Sequence, residues 1–110
     1  MNLIRTLTHE WSEMTEKLLK CEMIDIDDIK ALSRKTHNVM REFSNKELVP
    51  KDICHLVLEL QWFSWWVADI EFTPMHGLYQ ELGNIITVLH GMLFNYDDQY
   101  KNIEPFLDFL

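Results

Sequence analysis

The chain has 110 residues, 47% of them hydrophobic and 12% aromatic, and a formal net charge of −8. That length suits one domain spanning 1–110, and that apolar content supplies a real core, so the profile is not that of a disordered chain. The excess of acid repels phosphate backbones and anionic lipid, so neither nucleic acid nor a membrane is an expected partner. Only three Gly and three Pro argue against an all-β chain with many tight turns.

The first predicted element is a helix over about residues 2–22. Ile4, Leu7, Trp11, Met14, Leu18 and Cys21 recur at spacings of 3, 4, 3, 4 and 3, which is one apolar helix face. Glu10, Glu13, Glu16, Lys17 and Lys20 occupy the other side. Asp25, Asp27 and Asp28 then mark a second helix start, because carboxylates cap free N–H groups and oppose the macrodipole. Ile29, Leu32, Thr36, Val39 and Phe43 form its inner stripe, with Thr36 the weak member, and Ser44-Asn45 is its stop.

Pro50 opens a third helix, predicted to run to about Glu71, since proline's missing N–H costs nothing in a first turn. Thr73-Pro74 is the predicted cap and first turn of a fourth. Its stripe is Met75, Leu78, Leu82, Ile85, Leu89 and Met92, at the same spacing as the first. Gly83, Thr87 and Gly91 make a ridge of small residues that invites close approach by another helix. After a turn at Asn95–Asp98, a short last helix is predicted at about 98–104. The apolar tail Pro105–Leu110 then folds back on the core. Short connections favour antiparallel neighbours, so the expected fold is all-α: a four-helix up-and-down bundle or close variant with a short fifth C-terminal helix.

Charge is distributed unevenly along the chain. Residues 1–51 carry nine bases and nine acids, whereas residues 52–110 carry nine acids and one base, Lys101. Such asymmetry either serves solubility or steers a basic partner.

The third helix is apolar nearly all round. Ile53, Leu56, Leu60, Phe63, Val67 and Ile70 form its inner stripe, and Cys54, Leu58 and Trp65 a second face. Its most polar stripe holds Asp52, His55, Glu59 and Asp69, yet Trp62 and Trp66 lie on it too. Two readings stay open: a central helix packed on both flanks, or a surface covered by a partner. On the second reading, His55, Glu59, Trp62, Trp66 and Asp69 are the candidate partner-binding residues.

Chemistry-bearing motifs are sparse. His55 and Glu59, four apart, offer two ligands to a metal, with His37, His76 or His90 as a third, but neither HExxH nor Glu-x-x-His occurs. Cys54 beside His55 is no catalytic pair, because adjacent helix residues diverge by about 100°. His90, beside the apolar stripe of the fourth helix, reads as a satisfied core histidine. The spacings Arg5 to His9 and Arg34 to His37 match no mechanism, and no glycine-rich phosphate loop is present. No catalytic residue, metal or cofactor is therefore expected. Cys21 and Cys54 match no CxxC pattern and read as free thiols. The N-terminus has no signal-peptide pattern, and the longest uncharged stretch, Leu82 to Tyr96, is too short to span a bilayer, so the expected location is the cytoplasm.

Together these features suggest a non-enzymatic, acidic interaction module. It is similar in size and charge, though not in any motif, to immunity proteins, antitoxins and other small inhibitors that occlude a basic partner. A self-associating homodimeric module and a metal-binding bundle are the alternatives.

Overall fold

A computed structural model describes residues 2–20, 22–69 and 76–110, the side chains of 68, 69 and 76–79 excepted. Four long helices and a short fifth account for its regular structure: α1 (Leu3–Leu19), α2 (Ile26–Phe43), α3 (Lys51–Asp69), α4 (His76–Phe94) and α5 (Glu104–Leu107). No strand occurs among the described residues. The expected end of the third helix beyond Asp69 and the expected Thr73-Pro74 start of the fourth lie outside the described residues, as do Cys21, Ile70 and Met75.

α1 and α2 both start on side-chain caps, the expected one at Asp25 and a further one at Asn2, while the expected Thr73 cap lies outside the described residues. The Asn2 side chain accepts from the Ile4 amide at 2.9 Å. Asp25 accepts from the amides of Asp27 and Asp28 at 2.8 and 3.3 Å. These bonds satisfy N–H groups that have no partner inside the helix. α4 stops at Asn95, whose φ of 53° is left-handed. The next amide, Tyr96, then reaches back to the Gly91 carbonyl at 3.1 Å, closing a Schellman-type end.

The segment predicted as one helix at 98–104 is instead two pieces. Asp98–Lys101 is a 3-10 turn, and α5 begins at Glu104 and contains Pro105. Asn102 between them is extended and accepts from the Glu104 amide at 3.2 Å, which starts a new helix. Proline in that first turn gives up no bond, so it belongs inside α5 and does not follow a helix end. The tail does fold back: Ile103 and Leu107 are buried, while Phe109 remains exposed.

The inner stripes converge on one core. Leu7, Trp11, Leu32, Met40, Leu56, Leu60, Phe63, Leu82, Ile85 and Leu89 are almost fully removed from solvent. Trp11 and Phe63 meet edge to face, with ring centroids 5.1 Å apart. Thr36 is also fully buried. Its hydroxyl accepts from the Trp11 indole at 2.9 Å and donates to the Leu32 carbonyl at 2.8 Å, so a polar position is tolerated because nothing on it is left unpaired.

The helices alternate in direction, but their spatial order is not their chain order. Asn2 and Arg5 at the start of α1 bond Asp52 at the start of α3, at 2.9 and 3.3 Å, so these two helices run parallel as neighbours. α3 packs on α4, α4 on α2, and α2 more lightly on α1. Consecutive helices α2 and α3 therefore lie across the bundle diagonal and are not antiparallel neighbours. The connection 44–50 permits this, since seven residues reach up to roughly 23 Å. The ring order α1, α3, α4, α2 puts α1 and α2 on one side of the bundle and α3 and α4 on the other.

Candidate functional site

The inner stripe of α3, from Ile53 through Leu56, Leu60 and Phe63 to Val67, is buried. At about 100° per residue, Cys54, Leu58, Trp62 and Trp65 point the opposite way. All four are exposed: Leu58 is 67%, Trp65 61% and Trp62 49% accessible. The helix is thus apolar on its inner face and again on its outer one. The three tryptophan rings form one cluster, Trp62 lying 6.3 Å from Trp65 and 5.6 Å from Trp66 between centroids.

The five sequence-derived candidates divide into three environments. Trp62 stands on the outer face. Trp66 is half-buried, and its indole Nε1 is buried with no hydrogen-bond partner among the described residues. His55 and Glu59 look into a groove of about 510 Å³ between α1 and α3, shared with Arg5, Thr8, His9, Ser12 and Asp52. Within that groove Arg5 pairs with Asp52 at 3.3 Å, and His9 Nε2 lies 2.9 Å from the Glu13 carboxylate. The side chain of Asp69 lies outside the described residues. Trp65 was not among the five, yet it is the most exposed indole described on α3. Its signal was present in the sequence, because it falls opposite the inner stripe beside Leu58 and Cys54.

The outer face opens at its N-terminal end into a groove of about 450 Å³. Cys54, Val57 and Leu58 of α3 form one wall, Leu93 and Phe94 of α4 another, and Phe43, Lys46 and Val49 close the end. Lys46 sits over the Phe43 ring, 4.8 Å from its centroid. Phe94 stacks on Tyr96 at 5.7 Å, and both rings are exposed.

Several polar residues without an evident role in the sequence serve the fold. Arg34, His37 and Arg41 share one face of α2 and hold the C-terminal segment. Arg34 donates two bonds to the Glu104 carboxylate, at 2.8 and 3.1 Å. His37 Nε2 meets the Tyr100 carbonyl at 2.8 Å, and Arg41 donates to the Lys101 carbonyl at 2.6 Å. Burial pushes His37 below the ordinary histidine pKa, and its bond to Tyr100 offsets this only in part. Its nitrogen is therefore committed to the tail, away from His55 and Glu59. Among the described residues, no three His, Cys, Asp or Glu side chains converge as a metal would require.

His90 lies between α4 and α3. Burial lowers its pKa too, against a backbone hydrogen bond to Val57. Its Nε2 is buried without a partner among the described residues, so this histidine is only half satisfied. The small-residue ridge of α4 receives a ring, not a helix. A Cβ on Gly91 would fall 2.6 Å from Cγ of Tyr100, whereas one on Gly83 would meet no atom of the described residues within 4 Å.

Among the described residues, no helix is long and apolar enough to cross a membrane. The chain matches no protein-family model, and neither the curated proteins nor the solved structures yield a significant match.

Proposed function

We propose that the chain is a non-enzymatic interaction module that docks a basic protein on the outer face of α3 and occludes the surface it covers. The observation that carries this reading is the outward row Cys54, Leu58, Trp62 and Trp65, exposed on a helix whose opposite stripe already fills the core. Exposed contiguous apolar surface with tryptophan at its centre is the composition of binding hot spots. The charge argument supports a basic partner. α3 and α4 form one side of the bundle, and from Asp52 to Tyr100 the chain has no Lys or Arg. A second copy would bring one acidic side against another, which favours a partner of opposite charge over a homodimer.

The test is affinity capture from the native host, followed by kinetics on the purified pair. Trp62→Ala with Trp65→Ala should weaken binding by about thirtyfold, corresponding to the roughly 2 kcal/mol of a hot spot. Glu59→Lys with Asp69→Lys should slow association and flatten its salt dependence. Unchanged affinity in the alanine pair would remove the reading. Capture of the chain alone, with a dimer abolished by the same pair, would assign the face to self-association instead.

A further inference from the structure

We propose that residues 98–110 form a strap that opens from α2 and α4 as a unit while α1 and α3 stay packed, and that proton uptake by His37 drives the opening. The strap lies away from the outward row of α3, so this device is independent of the docking reading.

The first ground is how the strap is held. It packs on α4 and is bonded to α2, whereas α1 packs chiefly on α3. Two of its side chains, Ile103 and Leu107, are buried, those of Tyr100, Phe106 and Leu110 are half-buried, and the rest are exposed. Its junction with α4, residues 95–97, is exposed throughout and contains the left-handed Asn95. Its backbone bonds are local, such as Tyr100 to Asp97 and Leu107 to Ile103, and among the described residues none joins it to a long helix. A terminal segment of this kind regains backbone freedom on opening without breaking the helices it leaves behind.

The second ground is the clasp. Three α2 side chains reach the strap: Arg34 at the Glu104 carboxylate, and His37 and Arg41 at the carbonyls of Tyr100 and Lys101. Arginine stays charged near neutrality, so His37 is the member that titrates. It is only 1% exposed. A carbonyl can only accept, so the 2.8 Å contact puts the proton of the neutral ring on Nε2 and leaves Nδ1 to take up the next one. The resulting imidazolium is poorly matched. Arg41 opposes it, and Glu104, which favours it, already accepts two bonds from Arg34. Asp98 and Lys101 of the strap pair with each other at 2.8 Å. The described titratable side chains of α4, Glu81 and His90, are not among the groups that act on His37, nor is any of α1. Opening returns the ring to water, so the open form binds the proton more readily and acid favours it. It also bares the seat of the Tyr100 ring at Gly91.

The test is hydrogen exchange of the full chain, read by mass spectrometry on peptides from residues 98–110, α1 and α3, with rates divided by those of unstructured reference peptides. The strap should exchange through openings more frequent than those of α1 and α3. Its opening constant should rise several-fold between about pH 7.5 and about pH 5.5, to a ceiling of about tenfold for one proton. His37→Gln, whose amide still donates to the Tyr100 carbonyl but takes up no proton, should keep the strap closed and abolish the rise. Glu104→Gln, at a half-exposed pair, should raise opening roughly two- to fivefold at both pH values and leave the rise in place. Exchange of the strap in step with α1 and α3 would overturn the proposal, because residues 98–110 would then open only with the whole fold. An opening constant equal at both pH values in the parent chain, or a rise that survives in His37→Gln, would overturn it as well, because His37 would not be the driver.

Discussion

The two sides of the bundle solve the same packing problem differently. On α1 and α2, apolar residues are concentrated on the inner stripes, and the outward positions carry charges of both signs. Several of those charges have structural partners: Asp52 for Arg5, Glu104 for Arg34, the Lys101 carbonyl for Arg41. On α3 the outward row is as apolar as the inner one, and no base lies between Asp52 and Tyr100. The first side is finished by its own chain. The second keeps Leu58, Trp62 and Trp65 in water, a cost that stability alone does not explain. The contrast separates residues that hold the fold from residues free to bind.

The sharpest way to break this comparison uses one residue type on both sides. Trp11→Ala removes a fully buried ring, its contact with Phe63 and the bond to Thr36, and should cost about 3–5 kcal/mol of unfolding free energy. Trp65→Ala should stay within about 0.5 kcal/mol of the parent. Denaturant midpoints at constant slope decide it, and a loss near 3 kcal/mol at Trp65 would make the outer face structural.

A second pair tests the two glycines of α4. Gly91→Ala forces the Tyr100 ring aside and should cost about 1–3 kcal/mol. Gly83→Ala meets no atom of the described residues and should stabilise by about 0.5–1 kcal/mol, the helix-propensity gain. Effects of the same sign at both positions would contradict the placement of Tyr100.

Acidification gives a smaller, graded effect. His37 and His90 both have pKa values lowered by burial, so the unfolded chain takes up protons at these sites more readily than the native one. Their contribution is complete above the ordinary histidine value of about 6.5 and is lost as pH falls through that value toward the lowered native ones. Asp98 and Glu104, held low by Lys101 and Arg34, act in a separate window below the ordinary carboxylate range. The urea midpoint should therefore fall between about pH 7 and about pH 5.5, and His90→Gln should remove part of that slope. A midpoint flat across this interval would refute the burial account of both histidines.

Much of the fold was legible because an inner stripe is a local property. The spacing of Leu7, Trp11, Met14 and Leu18 marks one side of a helix whatever that helix later packs against, and the same holds for Leu82, Ile85, Leu89 and Met92. A turn was legible at Asn95, whose left-handed backbone suits asparagine, and capping at Asp25 for its side-chain acceptor. The roles of Arg34, His37 and Arg41 were not. Their partners lie 60 to 70 residues away, and two of the three are backbone carbonyls, which leave no mark in side-chain spacing. The small-residue ridge was visible, but its occupant was not, because a ring and a helix both need the room that Gly91 leaves.

The candidate site was legible to a similar depth. Trp62 could be singled out from its neighbours, while Trp65 was passed over because it shares a face with apolar residues and so resembles core. Only packing separates an apolar face turned inward from one turned outward.

By itself, the sequence determined the helical periods, the inner stripes and the uneven charge of its two halves, since these depend on rotation about single helix axes and on composition. Tertiary structure decided which helices became neighbours. The diagonal step from α2 to α3 seated α3 between α1 and α4, and the second apolar face of α3 was left in solvent. Neighbour choice rests on burying the most apolar surface at once across all four helices, and no single helix carries that information.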